Sequence, residues 1–195
     1  MKAPTSDVEV RVPPRGPVTE VHTLGPAGTN CEAAARKWLA ANDLSARVIL
    51  HSTLEDALQP VKESSGSAVL LACVVYPQLH TIVFENLDWL RLQDEFIMNT
   101  YNMVLAARPG GGTFRTAVSH PAPRHLAELK GLSVTEATSN SKAARLCSSG
   151  EFDACITTAK AAQQEGLVEV EDYGPVPMGF TVHAVKVDGG VDVEE

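Results

Sequence analysis

From residue 18 onward, short apolar runs alternate with amphipathic segments. Residues 18–24 predict a strand whose apolar members are Val18, Val21 and Leu24. Gly25-Pro26-Ala27-Gly28 predicts a tight turn, because two glycines bracket a proline. Asn30 is the expected cap of an alanine-rich helix over 32–42 that carries Trp38 and Leu39 at helical spacing. Residues 47–50 predict a strand, Thr53 caps a helix over 54–62, and Ser64 to Ser67 form a loop. The longest apolar run, 68–76, reads as a buried strand stopped by Pro77. This β-α-β-α-β order predicts a parallel sheet with helices on its faces.

A second alternation follows. Residues 101–107 predict a strand, and Pro109-Gly110-Gly111-Gly112 a flexible break. Residues 117–118 lead into Ser119-His120-Pro121, and 123–130 predict a short helix. A strand over 132–136 precedes Thr138-Ser139-Asn140-Ser141, which caps a helix over 142–148 that Gly150 stops. A strand over 153–156, a helix over 159–164 ending at Gly166, and strands over 167–170 and 180–187 complete the pattern. Residues 1–17, with four prolines, predict a loosely ordered arm, and 188–195 a solvated tail. Two βαβ halves predict an α/β fold of two small lobes with parallel or mixed sheets and a cleft between them. Residues 18–98 with 176–187 form the first lobe, and 99–175 the second. Ligands of such sheets sit beyond the carboxyl ends of the strands.

Composition narrows the function. A chain of 195 residues buries roughly 70% of its unfolded surface and folds without staples. A net charge of −8 with no basic cluster argues against nucleic acid and anionic membranes as partners. The polar N-terminus has no apolar h-region and no run is long enough to span a bilayer, so a cytoplasmic location is expected. None of the four cysteines lies in a CxxC pair, which predicts reduced packing thiols. The six histidines show no metal-ligand spacing, so no metal and no cofactor are expected.

The candidate chemistry lies in the turns. Gly28-Thr29-Asn30, Ser139-Asn140-Ser141 and Thr157-Thr158 each follow a predicted strand and open a helix. Helix N-termini present unpaired N–H groups and a positive dipole end. Three such turns build a polar cleft that holds carboxylates even in an acidic chain. Ser119 and His120 lie at another strand end, but neighbours on extended chain point opposite ways, so a substrate-contacting loop is expected rather than a nucleophile–base pair. Arg124 and Arg145 are candidate cation partners for carboxylates, and Tyr76 and His80 follow the buried strand toward the cleft. Cys31 stands at a helix N-terminus, where a thiol pKa is lowered, although a small packing residue is the plainer expectation.

These residues resemble a known family. The run Val21-His22-Thr23-Leu24-Gly25-Pro26-Ala27-Gly28-Thr29-Asn30-Cys31-Glu32-Ala33-Ala34 is similar to the opening signature of prephenate dehydratases, where Leu-Gly-Pro-x-Gly-Thr leads into a Ser/Cys-Glu-Ala-Ala helix. Ser119-His120-Pro121 resembles that family's Ser-His-Pro loop, and Ser139 to Arg145 its Ser-Thr-x-x-Ala-Ala-Arg element. Asp153 to Ala159 resembles its Ala-Ala-Ile-(Ser/Thr) strand. The resemblance implies the family's two-lobed, periplasmic-binding-protein-like catalytic domain, a dicarboxylic acid substrate and a homodimer. The chain stops soon after Val187, so the family's C-terminal ACT domain is expected to be absent.

Two departures matter. Met178-Gly179-Phe180 stands where dehydratases carry Thr-Arg-Phe, and Tyr76-Pro77-Gln78 replaces part of their Pro-Ile-Glu-Asn-Ser segment. Hydroxide leaves poorly without a proton or hydrogen-bond donor. Together with Pro177-Met178 and Ser-His-Pro-x-Pro over 119–123, this resembles the prephenate decarboxylases of antibiotic pathways, of the bacilysin and salinosporamide type. The resemblance implies a cofactor-free lyase that removes carbon dioxide from prephenate and keeps the ring hydroxyl, giving a dihydro-4-hydroxyphenylpyruvate. Its alternatives are a dehydratase-like enzyme acting on prephenate or another cyclic acid, as in tropone or tropolone assembly, and a non-catalytic small-acid binding protein. The expected substrate contacts are Gly28, Thr29, Asn30, Ser119, His120, Ser139, Asn140, Ser141, Thr157, Thr158 and Phe180, with Ser119, His120 and Tyr76 as catalytic candidates.

Overall fold

The computed structural model describes residues 17–186. The arm over 1–17, apart from Pro17, and the tail over 188–195 lie outside the described residues. The first sheet holds strands β1 (Glu20–Leu24), β2 (Arg47–His51), β3 (Ala68–Cys73), β4 (Leu90–Asn99) and β10 (Pro177–Val185), in the order β2-β1-β3-β10-β4. The second holds β5 (Met103–Ala107), β6 (Thr116–Ser119), β7 (Ser133–Glu136), β8 (Ala154–Thr158) and β9 (Val168–Gly174), in the order β7-β6-β8-β5-β9. Both sheets are mixed. Strands β1, β2 and β3 run parallel, as do β6, β7 and β8, while β10 and β5 enter antiparallel to their neighbours.

The helices are α1 (Asn30–Ala41), α2 (Glu55–Glu63), α3 (Leu79–Glu85), α4 (His125–Glu128), α5 (Asn140–Ser148) and α6 (Ala159–Gln164). They cover both faces of each sheet, which is why β3 is apolar at every position. Val69 and Leu71 pack with Trp38 of α1, while Ala68, Leu70 and Ala72 pack with Ala57 and Val61 of α2. In the second sheet Val118 and Cys155 face Ala143, Ala144 and Cys147 of α5, and Ala117 and Ile156 face Ala127 of α4. Alanines at these contacts bring helix and sheet backbones close, which suits a chain with only 5% aromatic residues.

The chain passes between the sheets twice, after Asn99 and before Pro177, which pair with each other. At this crossing the Thr100 N–H donates to the Val176 carbonyl at 3.0 Å, and the Val176 N–H donates to the Thr100 hydroxyl at 3.0 Å.

Several elements differ from expectation. Strand β3 stops at Cys73, not Tyr76, because the Tyr76 N–H turns back to the Cys73 carbonyl at 2.9 Å. The α1 cap is Thr29, whose hydroxyl accepts from the Glu32 N–H, and Asn30 is the first helical residue. Strand β10 begins at Pro177, three residues before the expected start. Helix α3 and strand β4 have no counterpart in the sequence pattern. The β4 register shifts beside Val182 and His183, and the irregularity breaks the two-residue alternation that marks a strand. Among the described residues no helix is long and apolar enough to cross a membrane.

His183 on β10 is 4% exposed, and burial pushes its pKa down to about 4. The unfolded chain takes a proton near the ordinary value of about 6.5, so it binds protons before the folded chain does. Stability is therefore full above about pH 6.5 and falls toward pH 4, by about 3 kcal/mol from this residue. Urea midpoints of wild type and His183→Gln, measured from pH 7 to pH 4, are expected to converge as the pH falls. Parallel pH curves for the two proteins contradict this.

Candidate active site

The parallel strands β6, β7 and β8 end together, and this gathers three of the predicted loops. The Ala137 N–H donates to the Ser119 carbonyl at 2.8 Å, joining the end of β6 to the segment after β7. The Thr157 hydroxyl donates to the Asn140 carbonyl at 2.7 Å, tying β8 to the first turn of α5. The Ser139 hydroxyl accepts from the Lys142 N–H at 3.1 Å, and the Thr158 hydroxyl accepts from the Ala161 N–H at 3.2 Å. Each side chain thus caps its own helix. What remains for a ligand is the α5 first turn, where a helix leaves its leading N–H groups without intrahelical partners. Asn140 also carries a buried side-chain oxygen with no hydrogen-bond partner.

Ser119 and His120 form no nucleophile–base pair. The Ser119 hydroxyl donates to the main-chain carbonyl of His120 at 2.8 Å, and His120 Nδ1 accepts from the Ala122 N–H at 3.3 Å. Burial pushes the His120 pKa down, against the opposing pull of Glu136, so the ring is neutral at neutral pH. Ser119 and Thr157 are fully buried with their hydroxyls on carbonyls, so they hold the loops in shape.

The corresponding edge of the first sheet is arranged differently. The Glu32 N–H donates to the Thr29 hydroxyl at 3.5 Å, while the Glu32 carboxylate reaches past the cap to accept from the Gly28 N–H at 2.6 Å, a variant of the capping box shifted by one residue. The anion at this helix start is the protein's own. The Gly28 N–H, and after it Arg36, hold the Glu32 carboxyl below the usual range. Asn30 does not face a ligand either: its side-chain oxygen accepts from the Tyr101 N–H at 2.9 Å, at the crossing between sheets. Tyr76 donates its hydroxyl proton to Glu55 Oε2 at 2.6 Å.

Other expectations need correction. Phe180 is 1% exposed and stacks on Phe96 with centroids 5.6 Å apart, so it belongs to the core of the first sheet and not to the cleft. Arg124 is bound by Glu128 and Glu136, each at 2.7 Å, and Arg145 lies 3.6 Å from Glu165. Glu128 and Glu136 occupy the Arg124 guanidinium, whereas Arg145 makes a single longer contact from its Nε. Burial pushes the Cys31 thiol up to about 12, which overrides the helix dipole. His80 is exposed and meets its neighbour Thr81.

Two residues outside the predicted set shape the region. Gln164 of α6 lies against the first-sheet turn, with its Oε1 2.7 Å from the point where a Cβ on Gly28 would sit. Glu32 was readable from the Thr-x-x-Glu spacing over 29–32. A cavity of about 590 Å³ beside α6 is lined by Tyr101, Lys160, Gln163, Leu167 and Glu169, and includes none of the predicted contacts.

Gly28 has φ +83°, so a side chain there meets both backbone strain and Gln164. Gly28→Ala is expected to destabilise by about 2 kcal/mol. Adding Gln164→Ala restores the steric part alone, leaving about 1 kcal/mol of strain. Denaturant titration of the single and double variants measures this, and strict additivity overturns it.

Comparison with known proteins agrees with this architecture. The family model described as Prephenate dehydratase matches residues 21–173. A prephenate decarboxylase of Bacillus subtilis (strain 168) is 28% identical over 188 residues, covering 89% of both chains. A prephenate dehydratase of Amycolatopsis methanolica is 29% identical over 160 residues, covering 75% of this chain and 50% of its own. The crystal structure of prephenate dehydratase in complex with L-Phe from Arthrobacter aurescens superposes with a TM-score of 0.68 at 20% identity, covering 87% of this chain. This chain spans 61% of that chain's length. The periplasmic VFT2 domain of Bordetella pertussis BvgS shares the fold at a TM-score of 0.53 and 14% identity, covering 87% of this chain and 81% of its own. With a family match running from the first strand of the first sheet to the last strand of the second, the chain belongs to the prephenate dehydratase family.

Proposed function

We propose that the chain is a cofactor-free lyase that removes carbon dioxide from prephenate without aromatising the ring. The product is a dihydro-4-hydroxyphenylpyruvate that keeps the ring hydroxyl. The observation that carries this reading is the wall at the start of β10. Gly179 faces Val74, whose two methyl carbons lie 3.1 Å from where a Cβ on Gly179 would sit. Met178 and Gly179 supply hydrocarbon and no side-chain donor where the resembled dehydratases carry threonine and arginine. The Bacillus subtilis relative, named prephenate decarboxylase and matched over 89% of both chains, supports the same reading.

The binding half of the reaction falls to the second sheet. Ser139, Asn140 and Ser141 open α5, and fixed N–H dipoles there hold a carboxylate without adding positive charge to a chain of net charge −8. Decarboxylation breaks the bond from ring carbon to carboxylate and passes its electron pair into the ring diene. A ring carbon then takes a proton. Preorganised dipoles that fix the second carboxylate hold the ring at one orientation throughout.

Incubation of the protein with prephenate is expected to release one equivalent of carbon dioxide per prephenate consumed, with no phenylpyruvate. Phenylpyruvate formation assigns a dehydratase instead, and binding without turnover assigns a small-acid binding protein. Ser139→Ala removes the α5 cap and is expected to raise KM about tenfold with a smaller change in kcat. Steady-state kinetics at saturating and limiting prephenate separates the two, and an unchanged KM contradicts the assigned binding role.

A further inference from the structure

The edge of the first sheet carries a polar pair that the anion-binding turns do not use. After β3 the chain reverses at Tyr76, whose ring packs against the cluster built around α2. The Tyr76 hydroxyl donates to Glu55 Oε2 at 2.6 Å, and the Leu54 N–H lies 3.5 Å from its oxygen. Both partners stand at the start of α2, just after β2. The last residue of β2, His51, accepts from the Gly25 N–H at 2.8 Å. Gly25 opens the turn whose Gly28 lies against Gln164 of the second sheet. The hydroxyl therefore stands at the carboxyl ends of the parallel strands β2 and β3, the edge of an α/β sheet where ligands bind.

Resting on the decarboxylase reading above, we propose that Tyr76 donates the proton that the ring carbon takes as carbon dioxide leaves, and that Glu55 is the residue that positions it. The carbon–carboxylate bond breaks and its electron pair enters the diene. The carbon at the far end of the diene takes the Tyr76 proton, and the phenolate recovers a proton from water. A developing carbanion is a strong base, so a weak acid suffices, provided that it is protonated and aimed. Glu55 holds the phenol protonated between turnovers, and the O–H turns from Glu55 to the ring carbon as the carbanion forms. Its carboxylate accepts the phenol O–H, and burial together with this bond pushes the Tyr76 pKa above its ordinary value. Glu55 is exposed, so water reaches the pair and can return the proton.

Four proteins test this: wild type, Tyr76→Phe, Glu55→Gln and Glu55→Ala, each assayed for carbon dioxide release from prephenate across pH. Tyr76→Phe keeps the packed ring and removes only the hydroxyl. It is expected to lower kcat at least 100-fold with KM within threefold and the thermal midpoint unchanged. Glu55→Ala is expected to lower kcat about tenfold, and Glu55→Gln, which keeps an acceptor, to recover most of that loss. In Glu55→Gln the alkaline limb of kcat is expected to move to lower pH, because the neighbouring charge no longer holds the phenol protonated. A merely structural tie between α2 and the Tyr76 turn would change stability and leave that limb in place. Wild-type turnover by Tyr76→Phe, or an unmoved alkaline limb in Glu55→Gln, overturns the proposal and leaves the decarboxylase reading standing. Wild type that releases no carbon dioxide from prephenate, or releases it with phenylpyruvate, overturns both.

Discussion

Every helix start leaves main-chain N–H groups that some acceptor has to meet, and the way each start is answered organises this molecule. At α1 the acceptor is Glu32, whose carboxylate closes over the Gly28 N–H. At α6 it is the Thr158 hydroxyl, buried with its strand. At α5 it is the Ser139 hydroxyl, which accepts from the Lys142 N–H. Three turns that look alike as sequence thus answer their helix starts with different groups.

The same division shows what the sequence carried and what it did not. Strand β3 was legible because both of its faces are buried, so its apolar run is unbroken. The caps at Ser139 and Thr158 were legible because capping is local and needs only a hydroxyl before a helical run. Strand β4 was not, because its irregular register beside His183 hides the alternation. Helix α3 is preceded by Gln78, which makes no side-chain cap, and so gives no starting signal. Long-range pairings were out of reach. Arg124 is bound by Glu136, Phe180 is stacked on Phe96, and Tyr76 reaches back 21 residues to Glu55. Nothing in the local spacing of any of these residues names its partner.

Charge ties the fold to the chemistry. An acidic chain that acts on a doubly negative molecule has few cations to spare, and here Arg124 is already held by Glu128 and Glu136. Peptide dipoles do not change the net charge, cannot be neutralised by a surface glutamate and do not move when the ligand arrives. At the start of β10, Gly179 packs against Val74 and Met178 against the core of the first sheet, so neither residue brings a side-chain donor.

The contact between Gly28 and Gln164 reaches beyond its own few atoms. With only a hydrogen on the Cα of residue 28, the halves of the molecule come within the span of one amide group. A larger group at this position would meet the movable end of the Gln164 side chain before any backbone. The seam between the halves is thus closed by an amide that can swing aside, and only the left-handed backbone of residue 28 is a fixed demand for glycine.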